Sequence, residues 1–236
     1  MRKLYRRLRL RIKALLGRDV WLPVERKLPI EHHGSESCGW PVLADSLNAA
    51  SIIYSFGVGE DASFDVSLIR KYGCRVLAFD PTPKSLDYVR RTIGDPLFII
   101  HPTALADHVG TLELFLPTNA EHVSASLEMT DRTKGASFLA ECATLGEIMC
   151  RNGHDHIDVL KVDIEGAEYS AFGAGEGLDN LRRTHQLLIE FHHWMEPFSV
   201  RDTLGLCERL KAIGFRVAWT SPLGHEVLFV NSNWKQ

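Results

Sequence analysis

Two hydrophobic periods alternate along most of this chain. Short apolar runs of strand length recur near 51–55, 75–79, 97–101, 157–162, 186–191, 215–220 and 226–231. Near 61–72, 84–93, 144–152, 167–173 and 200–213 apolar residues instead return every three or four positions, as Phe64, Leu68, Ile69 and Tyr72 do. That is the period of a helix with one buried face. Strand alternating with helix predicts an α/β fold with a mostly parallel seven-stranded sheet, doubly wound. The end of the chain departs from this pattern. Only a short turn at Ser221-Pro222-Leu223-Gly224 separates the last two strands, so they must form a C-terminal antiparallel hairpin. Gly214 stops the last helix, as glycine does just past a helix end.

Three segments fall outside the alternation. Residues 1–18 set Leu4, Tyr5, Leu8, Ile12, Leu15 and Leu16 on one side of a helix and mostly Arg and Lys on the other. This predicts a basic amphipathic helix. It suits either an anionic membrane surface or acidic partner, or packing on the chain's own domain. Residues 19–50, rich in Pro, Gly, Ser and His over 22–48, read as an extended connector ahead of a domain at 51–236. Within 102–143, short added strands are expected near 111–116 and 138–142. The polar stretch 120–137 between them reads as a loop over the site or an insertion without function.

Charge sharpens the first of these. Residues 1–18 hold eight basic side chains and no acid, leaving 19 Lys and Arg against all 30 acids elsewhere, a balance of −11. An acidic body argues against a nucleic-acid partner. Arginines run through the basic head and no apolar segment follows, so it does not read as a secretory signal. Five scattered cysteines (Cys38, Cys74, Cys142, Cys150, Cys207) form no CxxC pair, which favours free thiols in a reducing, cytoplasmic compartment. Any membrane association would then be peripheral, at the inner membrane surface.

The candidate chemistry lies where strands end. Ser55-Phe56-Gly57-Val58-Gly59-Glu60-Asp61 follows the first core strand, and Asp80-Pro81 ends the second. Strand, glycine turn, helix, strand and acid is how an open α/β sheet holds an adenosine cofactor. Gly57 to Ala62 also fits the loose dinucleotide pattern, so an NAD-linked oxidoreductase is a competitor. Glu60 and Asp61 would repel a pyrophosphate but suit a cofactor carrying ammonium and sulfonium groups. Asp163 and Glu165 follow the apolar run Val159-Leu160-Lys161-Val162 and face one side if the strand persists. Gly166 then permits a turn into a helix whose first-turn acid is Glu168. Glu190 and His192 end the next strand, ahead of His193 and Trp194. Together these predict a carboxylate–imidazole cluster suited to taking a proton from a hydroxyl. Such a cluster also resembles a hard-metal site of oxygen and imidazole ligands.

Taken together, the motifs resemble the FkbM family of S-adenosylmethionine-dependent methyltransferases from about Ser51 to Asn231. The specific pieces are Lys161-Val162-Asp163-Ile164-Glu165-Gly166-Ala167-Glu168 and Phe79-Asp80-Pro81-Thr82-Pro83, with Ser63-Phe64-Asp65, Ala104-Leu105-Ala106-Asp107 and Ile189-Glu190-Phe191-His192 in support. The resemblance implies a Rossmann-like class I methyltransferase fold, S-adenosylmethionine as cofactor and O-methylation of a sugar, glycan or natural-product acceptor. It implies that Gly57 and Gly59 approach the methionine part, that Asp80 takes the ribose, that Ala104 and Leu105 flank the adenine, and that Asp163 lies near the cofactor amine or the acceptor. Glu190, His192 or Glu165 would accept the hydroxyl proton. Ser55 departs from the pattern, because methyltransferases usually carry an acid there; Glu60, Asp61 or Asp163 would have to replace it. The competing readings are the NAD-linked enzyme and a non-catalytic cofactor-binding module docked through residues 1–18, with metal-assisted methyl transfer a third for which no metal ligands are assigned.

Overall fold

The computed structural model describes residues 2–116 and 136–234. The chain begins with helix α1 (Arg2–Leu15). Along its apolar stripe Tyr5, Leu8, Ile12, Leu15 and Leu16 are exposed, and among the described side chains of the helix only Leu10, on another side, is buried. The segment expected to be an extended connector instead folds into an antiparallel pair, β1 (Ile30–His33) and β2 (Trp40–Leu43). Trp40 and Val42 are buried, and Leu43 N–H donates to Gln186 Oε1 at 2.7 Å, so the pair is tied to the domain.

The α/β core follows. Strand β3 (Ile52–Phe56) leads to α2 (Ser63–Tyr72), which Gly73 closes in a left-handed conformation, its N–H donating to Ile69 O. Strand β4 (Arg75–Phe79) leads to α3 (Pro83–Thr92), with proline in its first turn, where no N–H is needed. After β5 (Phe98–His101), the segment 102–143 contributes β6 (Thr103–Leu105), β7 (Gly110–Phe115) and β8 (Ser137–Ala143), a separate three-stranded sheet in the order β6-β8-β7. Most of the expected loop at 120–137 lies outside the described residues. Helix α4 (Leu145–Arg151) is capped by Thr144, which accepts from Glu147 N–H. Strand β9 (Ile157–Val162) is followed by two short helices, α5 (Glu168–Ala171) and α6 (Gly175–Leu181). The helix expected over 167–173 is thus shorter, and α6 was not anticipated, since Gly-Glu-Gly is a poor helix start. Strand β10 (Thr184–Glu190), the capping-box helix α7 (Val200–Ala212), β11 (Phe215–Thr220) and β12 (Glu226–Asn231) complete the chain.

The seven-stranded sheet runs β11-β12-β10-β9-β3-β4-β5. Its core strands are parallel, and β12 is antiparallel to both neighbours, having slotted between β10 and β11. Alternate residues serve opposite faces: Tyr54, Leu160 and Leu187 join one core, Ile53, Val159 and Leu188 the other. With both faces covered, the carboxyl edges of β3, β4, β9 and β10 are where a ligand can reach backbone and side chains together. Among the described residues no helix is long and apolar enough to cross a membrane.

Candidate active site

The glycine turn is locked by its neighbours. Gly57 and Gly59 have φ of 80° and 59°, and a Cβ on Gly57 would stand 1.8 Å from the Asp163 carbonyl oxygen. The ends of β3 and β9 therefore touch backbone to backbone, which only glycine permits. Gly57 N–H donates to Phe79 O, Asp163 N–H to Phe56 O, and Lys161 Nζ to Gly57 O at 2.6 Å. Asp80 completes the lock. Its Oδ2 accepts from the N–H groups of Val58 (2.9 Å) and Gly59 (3.0 Å), and its Oδ1 from Thr82 N–H (2.9 Å) and Oγ1 (2.6 Å). All four acceptor directions of this buried carboxylate are used within the chain.

A cavity of about 500 Å³ opens over the turn. Phe56, Gly57, Gly59, Glu60, Asp61, Asp80, Pro81, Ala104, Leu105, Asp163, Glu165 and Glu190 all line it. Ser55 and His192 do not; both are buried behind its wall. The sequence reading missed several walls: Gly39 and Trp40 from the β1–β2 hairpin, Leu112 and Leu114 from β7, and the polar groups Asp65, Lys161 and Glu226.

On one side the carboxylate–imidazole cluster assembles. Glu165 adopts a left-handed φ of 53°, rare for a side chain of this kind and frequent at functional sites. His192 Nε2 lies 3.6 Å from Glu165 Oε2 and 3.7 Å from Asp163 Oδ1. Its Nδ1 lies 3.1 Å from Oε1 of Glu168, which is fully buried and also accepts from His192 and Gly166 N–H groups. Burial pulls the imidazole down, but the Glu168 hydrogen bond and the charges of Glu168, Glu165 and Asp163 outweigh it and raise it to about 10. Glu190 faces Glu226 across the β10–β12 pair. Burial, reinforced by the Asp163 charge and opposed by His192, raises Glu190 to about 8. One ligand atom each from Asp163, Glu165 and His192 lies within 4.8 Å of the others, close enough to share a divalent cation.

On the other side stand the acids of the turn. Glu60 pairs with Lys84 at 2.9 Å. Asp61 accepts from Ser63 N–H and Ser35 Oγ, both at 2.8 Å. Asp163 has Lys161 at 3.9 Å and His192. Asp65 differs: it is buried against the cavity wall and its Oδ1 has no hydrogen-bond partner. Burial pushes its carboxyl up, opposed by the Lys161 charge and by the nearby Ser55 hydroxyl. The signal was present in the sequence, because Asp65 interrupts the apolar face formed by Phe64, Leu68 and Ile69. On sequence it counts only as part of the Ser63-Phe64-Asp65 motif, with no role in the site.

A second polar cluster ties α1 to this region. Asp19 is buried, accepts from Lys13 Nζ (3.0 Å) and Val20 N–H (2.9 Å), and lies 3.1 Å from His193 Nε2 and 3.7 Å from His225 Nε2. His193 reaches on through Thr203 to Tyr169.

The profile of the methyltransferase FkbM domain matches residues 51–217. Probable methyltransferase-like protein 24 of Homo sapiens is 29% identical over 165 residues, covering 66% of this chain and 38% of that protein. Its Rattus norvegicus counterpart is 29% identical over 177 residues, covering 71% and 42%. The chain thus spans about two fifths of the length of the curated relatives it matches. The crystal structure of methyltransferase FkbM from Methylobacillus flagellatus KT is similar over 78% of this chain and 44% of that one, at a TM-score of 0.48 and 16% identity.

Proposed function

The chain belongs to the methyltransferase FkbM domain family, and on that premise we propose that it is an S-adenosylmethionine-dependent O-methyltransferase acting on a hydroxyl of a sugar, glycan or natural-product acceptor. One observation carries the reading. A glycine turn, a buried carboxylate with an unpaired oxygen and a carboxylate–imidazole cluster meet at a single cavity of about 500 Å³, a volume ordinary for small-molecule sites.

The residues fit that cofactor. Gly57 and Gly59 leave the backbone open to close approach, and Ala104 and Leu105 offer an apolar wall for the adenine. Ser55 lacks the acid that would pair with the cofactor's ammonium, and Glu60, Asp61 and Asp163 already have partners. Among the described residues Asp65 is the cavity acid with a fully buried oxygen that has no hydrogen-bond partner, so we assign the ammonium to it. We assign Asp80 to holding the turn rather than to the ribose, since its acceptor directions are filled. When bound, S-adenosylmethionine supplies an electrophilic methyl group. The chain's part is to hold the acceptor hydroxyl in line and to take its proton. Asp163 and Glu165 face the cavity and would receive it. His192, buried behind them and fixed by Glu168, orients both carboxylates and acts as a positioning residue.

A second reading rests on the spacing of Asp163, Glu165 and His192, which would together hold a divalent cation; bound there, it would supply Lewis-acid activation of the acceptor hydroxyl. Turnover abolished by EDTA and restored by magnesium supports it; turnover unchanged by EDTA supports carboxylate catalysis alone. The main reading is tested by calorimetric titration with S-adenosylmethionine, S-adenosylhomocysteine and NADH. Binding of the two adenosyl ligands without NADH is expected; NADH binding alone would overturn it.

A further inference from the structure

Helix α1 presents an apolar stripe to solvent. Tyr5, Leu8, Ile12, Leu15 and Leu16 are between 51% and 87% exposed. At 100° per residue they fall within about 100° of arc, a single face. Exposed Arg9 and Arg11 border the stripe on its two sides. The helix is held to the body from elsewhere: Leu10 packs on Gly224, and Lys13 bonds Asp19, which meets His193 and His225. The exposed surface continues past the helix through Trp21, on which the Arg11 guanidinium stacks at 4.5 Å.

We infer that α1 is a surface anchor that lays this stripe into the interface of an anionic lipid membrane. The argument is charge complementarity around an apolar centre. An apolar band bordered by arginines matches acyl chains below anionic headgroups on both sides. A second copy of α1 would set arginine borders against one another, and the remainder of the chain, at −11, would avoid the lipid surface and leave the helix as the contact. The inference is independent of the methyl-transfer reading. It also gives the Asp19 cluster a purpose, because the anchor is bonded to His193, the neighbour of His192.

The test is co-sedimentation of the full chain with phosphatidylcholine vesicles, with and without phosphatidylglycerol. Binding only to the anionic vesicles, weakening as ionic strength rises, is expected. The double variant Leu8→Glu, Ile12→Glu should bind about 100-fold more weakly, and Arg9→Glu, Arg11→Glu should also lose binding. All four positions are exposed, so thermal melts should match the parent. No binding to anionic vesicles, or equal binding by the Leu8→Glu, Ile12→Glu variant, would overturn the proposal. So would a concentration-dependent dimer abolished by that variant, which would assign the stripe to a second copy. Capture of an acidic protein with no vesicle binding would overturn it equally.

Discussion

Asp65 and Ser55 are buried together behind the glycine turn, near enough for the Ser55 hydroxyl to bias the carboxyl, yet Asp65 Oδ1 and Ser55 Oγ both lack a hydrogen-bond partner. A buried carboxylate oxygen without a hydrogen-bond partner is destabilising in itself, even with the Lys161 charge nearby, which gives it meaning once a cationic ligand is considered. The acid expected at the end of β3 has, on this account, moved across to α2.

Asp65→Asn should therefore separate stability from binding. Burial raises this carboxyl above its ordinary 3.8, so the fold disfavours the charged form. Stability associated with the neutral acid is fully present below about 3.8 and is lost as pH rises through the raised value. Asparagine abolishes that loss. The ligand-free variant should melt higher than the parent at neutral pH, with the gain vanishing in acid, while binding S-adenosylhomocysteine at least about ten-fold more weakly. Melting curves across pH check the first half, and a lower melt at neutral pH would contradict it.

The acid should also be movable. Ser55→Asp alone adds a second buried carboxylate and should destabilise the chain. Asp65→Ser alone should lose the ligand. The pair together restores one carboxylate to the same pocket and should recover part of the affinity by calorimetry. Recovery no better than with Asp65→Ser alone would contradict the assignment.

Asp80→Asn should act on the turn. The buried carboxylate organises four donors, the backbone N–H groups of Val58, Gly59 and Thr82 and the Thr82 hydroxyl. Losing charge-assisted bonds of this kind costs about 2–4 kcal/mol, measurable by urea titration. Ribose contact can be tested separately: S-adenosylhomocysteine and its 2′-deoxy form should be weakened by the same factor. A loss confined to the ribose hydroxyl would return Asp80 to the ribose.

Much of the sheet was legible because its strands are buried on both faces. Runs such as Leu187-Leu188-Ile189 and Val159-Leu160 leave few alternatives to a central strand. The β1–β2 pair was not legible. Ile30-Glu31-His32-His33 and Trp40-Pro41-Val42-Leu43 are short and polar or proline-bearing, and the hairpin is held by a partner far along the chain, Gln186. The cluster of Asp163, Glu165 and His192 could be anticipated because strand ends converge by topology. The role of Glu168 could not, since a first-turn acid on a short helix reads as dipole compensation until β10 brings His192 against it. Asp65 was not singled out either, because nothing in the sequence shows that the first turn of α2 is buried against the cavity wall.

Glu168→Ala should be strongly destabilising, by about 3–5 kcal/mol, because it leaves the buried His192 ring and two N–H groups without their acceptor. His192→Ala in that background should cost far less than it does alone, a non-additivity that a double-mutant cycle reads directly. Additive losses would mean the contact is incidental.

Glu165→Gln keeps the shape of the site and removes a proton acceptor. Turnover should fall about 10²- to 10⁴-fold, with S-adenosylmethionine affinity unchanged. Equal loss in binding and turnover would place Glu165 with the cofactor instead.

The most direct test of the central claim is calorimetry comparing S-adenosylhomocysteine, 5′-methylthioadenosine and NADH on the parent chain and on Asp65→Asn. The account predicts no NADH binding, and at least about a ten-fold preference in the parent for the ligand that keeps its amino-acid end. That preference should largely disappear in Asp65→Asn. NADH binding, or a preference untouched by the substitution, would contradict it.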